Sequence, residues 1–209
     1  MSNQAKTKPK QEAKPRTTYR FRIYPTHKQI NTLEQWLSLC CQLYNAALDE
    51  RKSAYRIAGV SLSYEHQCAE LPGCKQVRPE LHDVPSQALQ DAVKRVDLAF
   101  DNFFRRVQEG QKPGYPRFKS RFRYDSMTFK QYQNSFDVIP GNKKNKGTLV
   151  LAKLGSVKMV LHRPIKGTRH PRHCETHSDR KMVCEYQCGD RRGRGNWQAL
   201  ARLHRRSRD

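Results

Sequence analysis

This chain of 209 residues contains no apolar run of the roughly 18 residues a membrane-spanning helix needs, so a bilayer-crossing segment is not expected. Residues 1–16 hold no apolar h-region, which argues against a secretory signal and makes a cytoplasmic, nucleoid-associated location the expectation. Acidic side chains are scarce. Nineteen Asp and Glu face 41 Lys and Arg, a formal net charge of +22. A surplus of that size points to a polyanionic partner, nucleic acid ahead of membrane. No Cys-x-x-Cys pair occurs. The seven cysteines (40, 41, 68, 74, 174, 184 and 188) are odd in number and irregularly spaced, which in a cytosolic chain favours free thiols over disulfides.

The charge that is present is unevenly placed. Residues 17–111 carry 12 cations and 11 acids, whereas 112–166 carry 13 cations and two acids. The middle of the chain therefore reads as a balanced folded module, and the electrostatic footprint lies in the second half. Residues 1–16, rich in Lys and Pro, read as a disordered basic tail. Tyr19, Phe21 and Ile23 alternate with Arg20 and Arg22, the pattern of a half-buried strand that Pro25 ends. Thr26 suits the N-cap of a helix. Apolar positions then recur at helical spacing through Leu33, Leu37, Cys40, Tyr44 and Ala47, with Arg51 an exception, as far as Gly59. The length of this pattern predicts a break near Ser38–Cys41. It is open between a helix-turn-helix and two helices of a bundle. A short helix is expected from Ser63 to Pro72-Gly73. A strongly amphipathic one should run from Pro85-Ser86 through Leu89, Val93, Val96, Phe100 and Phe103 to Gly110.

Beyond Gly110 the period changes. Residues 127–131, 135–139, 148–151 and 157–162 are strand candidates separated by turn signals at Pro140-Gly141-Asn142 and Asn145-Lys146-Gly147. The predicted class is α+β: a helical bundle at 26–110 inserted after the first strand of a small β-barrel or sheet made of 17–25 and 111–166, followed by an unstructured tail at 167–209. The richest stretch is Gly114-Tyr-Pro-Arg-Phe-Lys-Ser-Arg-Phe-Arg123. There Tyr115, Phe118 and Phe122 alternate with Arg117, Lys119, Arg121 and Arg123, and such pairing can engage both a phosphate rail and base faces. Pro116 keeps Tyr115 out of the α region. A solvated basic loop with two aromatics anchored in a core remains the alternative.

Tyr19-Arg-Phe-Arg-Ile-Tyr-Pro25, Tyr44-Asn45, Asn102-Phe-Phe104, Gly114-Tyr-Pro-Arg-Phe-Lys119, Tyr124-Asp-Ser126, Leu154-Gly-Ser-Val-Lys158 and Leu161-His-Arg-Pro164 together resemble the OrfB/TnpB proteins of bacterial and archaeal insertion sequences. The resemblance runs from about residue 17 to 168. It implies an RNA-guided DNA nuclease of the transposase type, with a β-barrel wedge domain interrupted by a helical recognition domain. It also implies guide RNA and target DNA as partners. Positions near the target-adjacent motif in that family fall on Tyr64, Ser86, Gln90 and Gln131. Gln90 suits adenine-edge readout, since its amide donates and accepts; a surface polar role is the alternative.

The same resemblance implies a ribonuclease-H-like domain opening on Gly-Ile-Asp-x-Gly, three carboxylates for Mg²⁺, and a zinc ribbon. This sequence contains neither that motif nor the ribbon's paired Cys-x-x-Cys. No catalytic residue and no cofactor is therefore expected of this chain itself. Residues 1–166 hold 13 Arg and 17 Lys, but 167–209 hold ten Arg and one Lys. A reading-frame shift near codon 168 would explain the change, and the other frames downstream should then encode the nuclease strand. His170, His173, Cys174, His177, Cys184, Cys188 and His204 offer a zinc alternative, although Cys184-x-x-x-Cys188 is not the usual knuckle. Three functions stay open: a nucleic-acid-binding fragment inactive alone, the recognition half of a split nuclease, and a non-enzymatic regulator of its element.

Overall fold

A computed structural model describes residues 16–131, 133–143, 145–164, 182–189 and 199–202. Strand β1 (Arg16–Tyr24) leads directly into helix α1 (His27–Ala58). Thr26 caps α1 in a reciprocal box: Gln29 N–H donates to the Thr26 hydroxyl at 3.4 Å, and Thr26 N–H donates to Gln29 Oε1 at 2.9 Å. Gly59 ends it at φ +65°, a left-handed conformation that disfavours any side chain. The break expected at Ser38–Cys41 is absent, and α1 runs unbroken for 32 residues. No Gly or Pro interrupts 27–58, and Leu37, Leu39, Cys40 and Cys41 are all buried, so packing holds the helix straight through.

The expected helix at 63–73 is instead two short ones, α2 (Tyr64–Ala69) and α3 (Leu71–Val77). Pro72 lies in the first turn of α3, where its missing N–H is no loss. A 3₁₀ turn (Pro79–His82) leads to α4 (Ser86–Gln108), which buries Ala88, Leu89, Ala92, Val93 and Val96. Gly110 follows at φ +66°.

The strands β2 (Ser126–Phe129), β3 (Phe136–Pro140), β4 (Lys146–Leu151) and β5 (Gly155–Val160) follow. Two further strands, β6 (Met182–Gly189) and β7 (Ala199–Arg202), lie in the span expected to be unstructured. There β6 pairs antiparallel with β1 from Arg16↔Gly189 to Ile23↔Met182. Its Val, Cys and Tyr content favours a strand even within charged flanks. The candidate zinc ligands Cys184 and Cys188 fall on β6. His170, His173, Cys174, His177 and His204 lie outside the described residues, as do residues 1–15.

The seven strands form one antiparallel sheet in the order β2-β7-β6-β1-β5-β4-β3. The expected partnership of β1 with the later strands is present: Ile23 faces Met159 and Tyr24 faces Lys158. A closed barrel would need β2 and β3 to pair, and the described pairings leave them at opposite ends of the sheet. Tyr19, Phe21, Ile23, Leu149, Leu151, Val157 and Met159 are buried and join Trp36, Leu48, Leu89 and Phe129 in one continuous core beneath the helices. Gln29 ties the two layers at the start of α1, its side-chain amide donating to Ser156 O at 2.9 Å.

Candidate nucleic-acid interface

The basic-aromatic stretch is an extended segment laid along α1, antiparallel to it. Five α1 residues at helical spacing hold it. Lys52 sits over the rings of Phe118 (4.4 Å) and Tyr115 (5.2 Å), and Tyr44 OH donates to Arg117 O at 3.4 Å. Asn45 grips the Lys119 backbone at both ends: Lys119 N–H donates to Asn45 Oδ1 and Asn45 Nδ2 donates to Lys119 O, each at 2.9 Å. Cys41 Sγ also donates to Lys119 O, and Glu34 stands 3.7 Å from Arg121. Residues 34, 41, 45 and 52 share one face of the helix, which is why the segment, extended until the 3₁₀ turn at Arg121–Arg123, can follow it for several turns.

This anchoring sorts the four cations. Arg117 and Arg123 are exposed and Arg121 is half-buried, so three guanidinium groups line the rim. Lys119 is turned inward instead. Its ammonium lies 4.7 Å from the Tyr44 ring and 5.5 Å from the Tyr124 ring, and burial, then the nearby Arg95, pulls its pKa below the ordinary lysine value. Lys119 is thus an internal cation held by ring faces. Of the aromatics, Tyr115 and Phe118 are about half exposed and Phe122 more so, so the alternative of a loop with two rings anchored in a core does not hold.

The positions taken from the family resemblance gather around the first half of α4. Ser86 and Gln90 are exposed one turn apart, and Ser86 Oγ accepts from Lys75 Nζ at 2.9 Å. Tyr64, at the start of α2, lies under the Lys94 ammonium at 5.0 Å, one turn beyond Gln90. Burial, then a hydrogen bond with Cys68, raises its phenol pKa. Gln131 is exposed just past β2. Among the described residues no hydrogen bond or ion pair joins this set to Arg117–Arg123, although α1 and α4 pack side by side.

Sequence reasoning assigned no role to the residues that build these supports. Gln87 accepts from the amides of Lys130 (2.9 Å) and Gln131 (3.0 Å), pinning the end of β2 to α4. Arg95 donates to Asp91 (2.7 Å), Ser126 (3.0 Å) and Thr128 (3.3 Å), welding α4 to β2 beside the Tyr124 ring. The only available signal was polar residues at apolar-stripe positions of helices, as with Asp91 and Arg51. Among the described residues no group of three or more His, Cys, Asp or Glu side chains converges to hold a metal.

Residues 16–59 match a family described as a helix-turn-helix domain, that of the OrfB/IS605 type. Two curated relatives agree. "Putative RNA-guided DNA endonuclease" of Streptomyces pristinaespiralis is 32% identical over 105 residues, 49% of this chain. "Putative RNA-guided DNA endonuclease InsQ" of Escherichia coli strain K12 is 26% identical over 115 residues, 54% of this chain. Over these stretches the chain is similar to the OrfB/TnpB family. The matched stretches span 25% and 27% of those relatives' lengths, so the chain corresponds to about a quarter of each. The part matching the helix-turn-helix family is β1 plus the single helix α1. The helix that packs beside α1 is α4, far along the chain. No helix among the described residues is long and apolar enough to cross a membrane.

Proposed function

We propose that this chain is the nucleic-acid-recognition portion of a transposase-type, RNA-guided DNA nuclease, binding DNA and a guide RNA without cleaving by itself. The observation that carries it is the basic-aromatic segment: α1 fixes its backbone by Asn45, Tyr44 and Cys41 while Arg117, Arg121 and Arg123 line its rim beside the half-exposed Tyr115 and Phe118. Cations on a fixed backbone match a phosphate rail, and the rings beside them offer stacking surface to unpaired bases. The helix-turn-helix family match and the two endonuclease relatives support a DNA-binding, transposition-related role. In this reading the sheet and its helices form the wedge and recognition modules. Ser86, Gln90, Tyr64 and Gln131 face the target-adjacent DNA, while 114–123 faces backbone phosphate.

The test is the salt dependence of binding. The variant with Arg117, Arg121 and Arg123 all replaced by Ala loses three contacts, so the slope of log K against log salt should flatten by about 2.7 on duplex DNA and about 2.1 on a single strand. Lys119→Ala alone should leave the slope unchanged, because that ammonium lies among ring faces. An unaltered slope in the triple variant, with far-UV dichroism intact, would place the phosphate contacts elsewhere and end this reading of the segment.

A further inference from the structure

Beyond the phosphate-facing segment, the far ends of α1 and α4 enclose an open cleft of about 450 Å³, lined chiefly by Arg51, Tyr55, Phe100, Asp101, Phe104 and Tyr115. That volume lies within the range of about 300–1,000 Å³ typical of small-ligand sites. Its walls are rings: Phe100 and Phe104 are near parallel with centroids 6.3 Å apart, and Tyr115 stands edge-on to Phe100 at 5.9 Å. Tyr55, Phe104 and Tyr115 are nevertheless about half exposed or more.

The floor is Arg51, whose side chain is only 8% exposed. Its Nε donates to Gln67 Oε1 at 2.7 Å and one terminal nitrogen to Asp97 Oδ1 at 3.1 Å. The other terminal nitrogen is buried with no acceptor among the described residues. A buried guanidinium nitrogen left unpaired is unfavourable, and a group that brings an acceptor to it gains accordingly. Asp97 is already engaged by Arg51 and Lys94, whereas Asp101, one turn further along α4, is an exposed carboxylate on the cleft wall.

We propose that this cleft binds one unpaired guanine of the nucleic-acid strand, an assignment that rests on the nucleic-acid reading above. The ring stacks on Phe104. The base acceptor N7 takes the hydrogen bond that Arg51 leaves unused, reached as the Phe100 ring beside the guanidinium shifts. The N1–H and N2–H₂ donors face the two oxygens of Asp101. Adenine offers an acceptor but only one amino donor group, and pyrimidines fill less of the stacking surface. The cleft thus reads a base, while Arg117–Arg123 read none.

The test uses the whole chain and fluorescently labelled thymine oligonucleotides with a single central guanine, 7-deazaguanine, inosine, adenine or cytosine. Guanine should bind at least about tenfold more tightly than cytosine. The preference should shrink with 7-deazaguanine and with inosine, and should vanish in Asp101→Asn and Phe104→Ala, both at exposed positions. The salt slope should not change in those variants. Equal affinity for every central base, with a normal salt slope, overturns the cleft and leaves the nucleic-acid reading standing. No binding to any oligonucleotide overturns both. Guanosine monophosphate binding as tightly as the oligonucleotide overturns the assignment to a base within a strand.

Discussion

Asn45→Ala isolates the positioning of the basic segment from its charge. The native amide makes two hydrogen bonds of 2.9 Å with the Lys119 backbone. Each contributes about 0.5–1.5 kcal/mol net. Cys41 can still donate to the Lys119 carbonyl after the change, but the Lys119 N–H is left without a partner in a partly buried place. An orphaned donor adds about 1–3 kcal/mol, so the segment's local opening should become about 2–4 kcal/mol easier. At 1.36 kcal/mol per factor of ten, the Lys119 amide should exchange roughly thirtyfold to a thousandfold faster, with α4 amides unaffected. Every cation remains, so nucleic-acid affinity should fall while the salt slope stays at the wild-type value. This pattern is the reverse of that expected for the triple arginine variant. Hydrogen exchange of Lys119 within about threefold of wild type would show that Asn45 does not hold the segment, and the account of its anchoring would fail.

Two further outcomes follow from the helical layer. Arg95→Met leaves Asp91, itself buried, without its ion-pair partner and frees the Ser126 and Thr128 hydroxyls; a loss of about 3–5 kcal/mol is expected by urea unfolding. Burial acts to raise the Asp97 pKa, but hydrogen bonds from Lys94 and Arg51 outweigh it and hold the carboxyl below the usual aspartate value. A depressed folded pKa means the unfolded chain binds more protons, so this contribution to stability is present above the ordinary aspartate range and is lost as pH falls through the folded value. Asp97→Asn should therefore flatten the acid limb of a stability-against-pH curve, and an unchanged limb would contradict the pairing.

The elements most legible in the sequence were those whose pattern and punctuation agree. In β1, Tyr19, Phe21 and Ile23 alternate before Pro25, and all three are buried in the strand. Helix α4 declared itself by its apolar stripe and Gly110. Thr26 and Gly59 marked the ends of α1 correctly, yet its middle was misread. A pattern of that length suggested two helices, and only tertiary contact with α4 and the sheet shows that one is stable. The strand β6 was hidden because its partner, β1, lies at the opposite end of the sequence and local pattern carries no pairing information. At the site, composition located the cations but not their directions. Lys119, like Arg121, lies between a Phe and a Ser in sequence, and only the ring faces of Tyr44 and Tyr124 show that it turns inward.

The register of β1 has a bearing on how the protein is made. The strand emerges from the ribosome early, yet Ile23 meets Met159 on one side and Thr18 meets Gln187 on the other. Helices α1 to α4 can coil as they are synthesised, but β1 must wait, both edges unpaired, until almost all of the chain between has appeared. β2 finds its described partner later still, since that partner is β7. Long-range pairing of this kind is slow, and a strand bearing Tyr19, Phe21 and Ile23 with open edges can pair with another nascent copy. Arg20 and Arg22, between those residues, put like charges on every such strand and oppose that encounter.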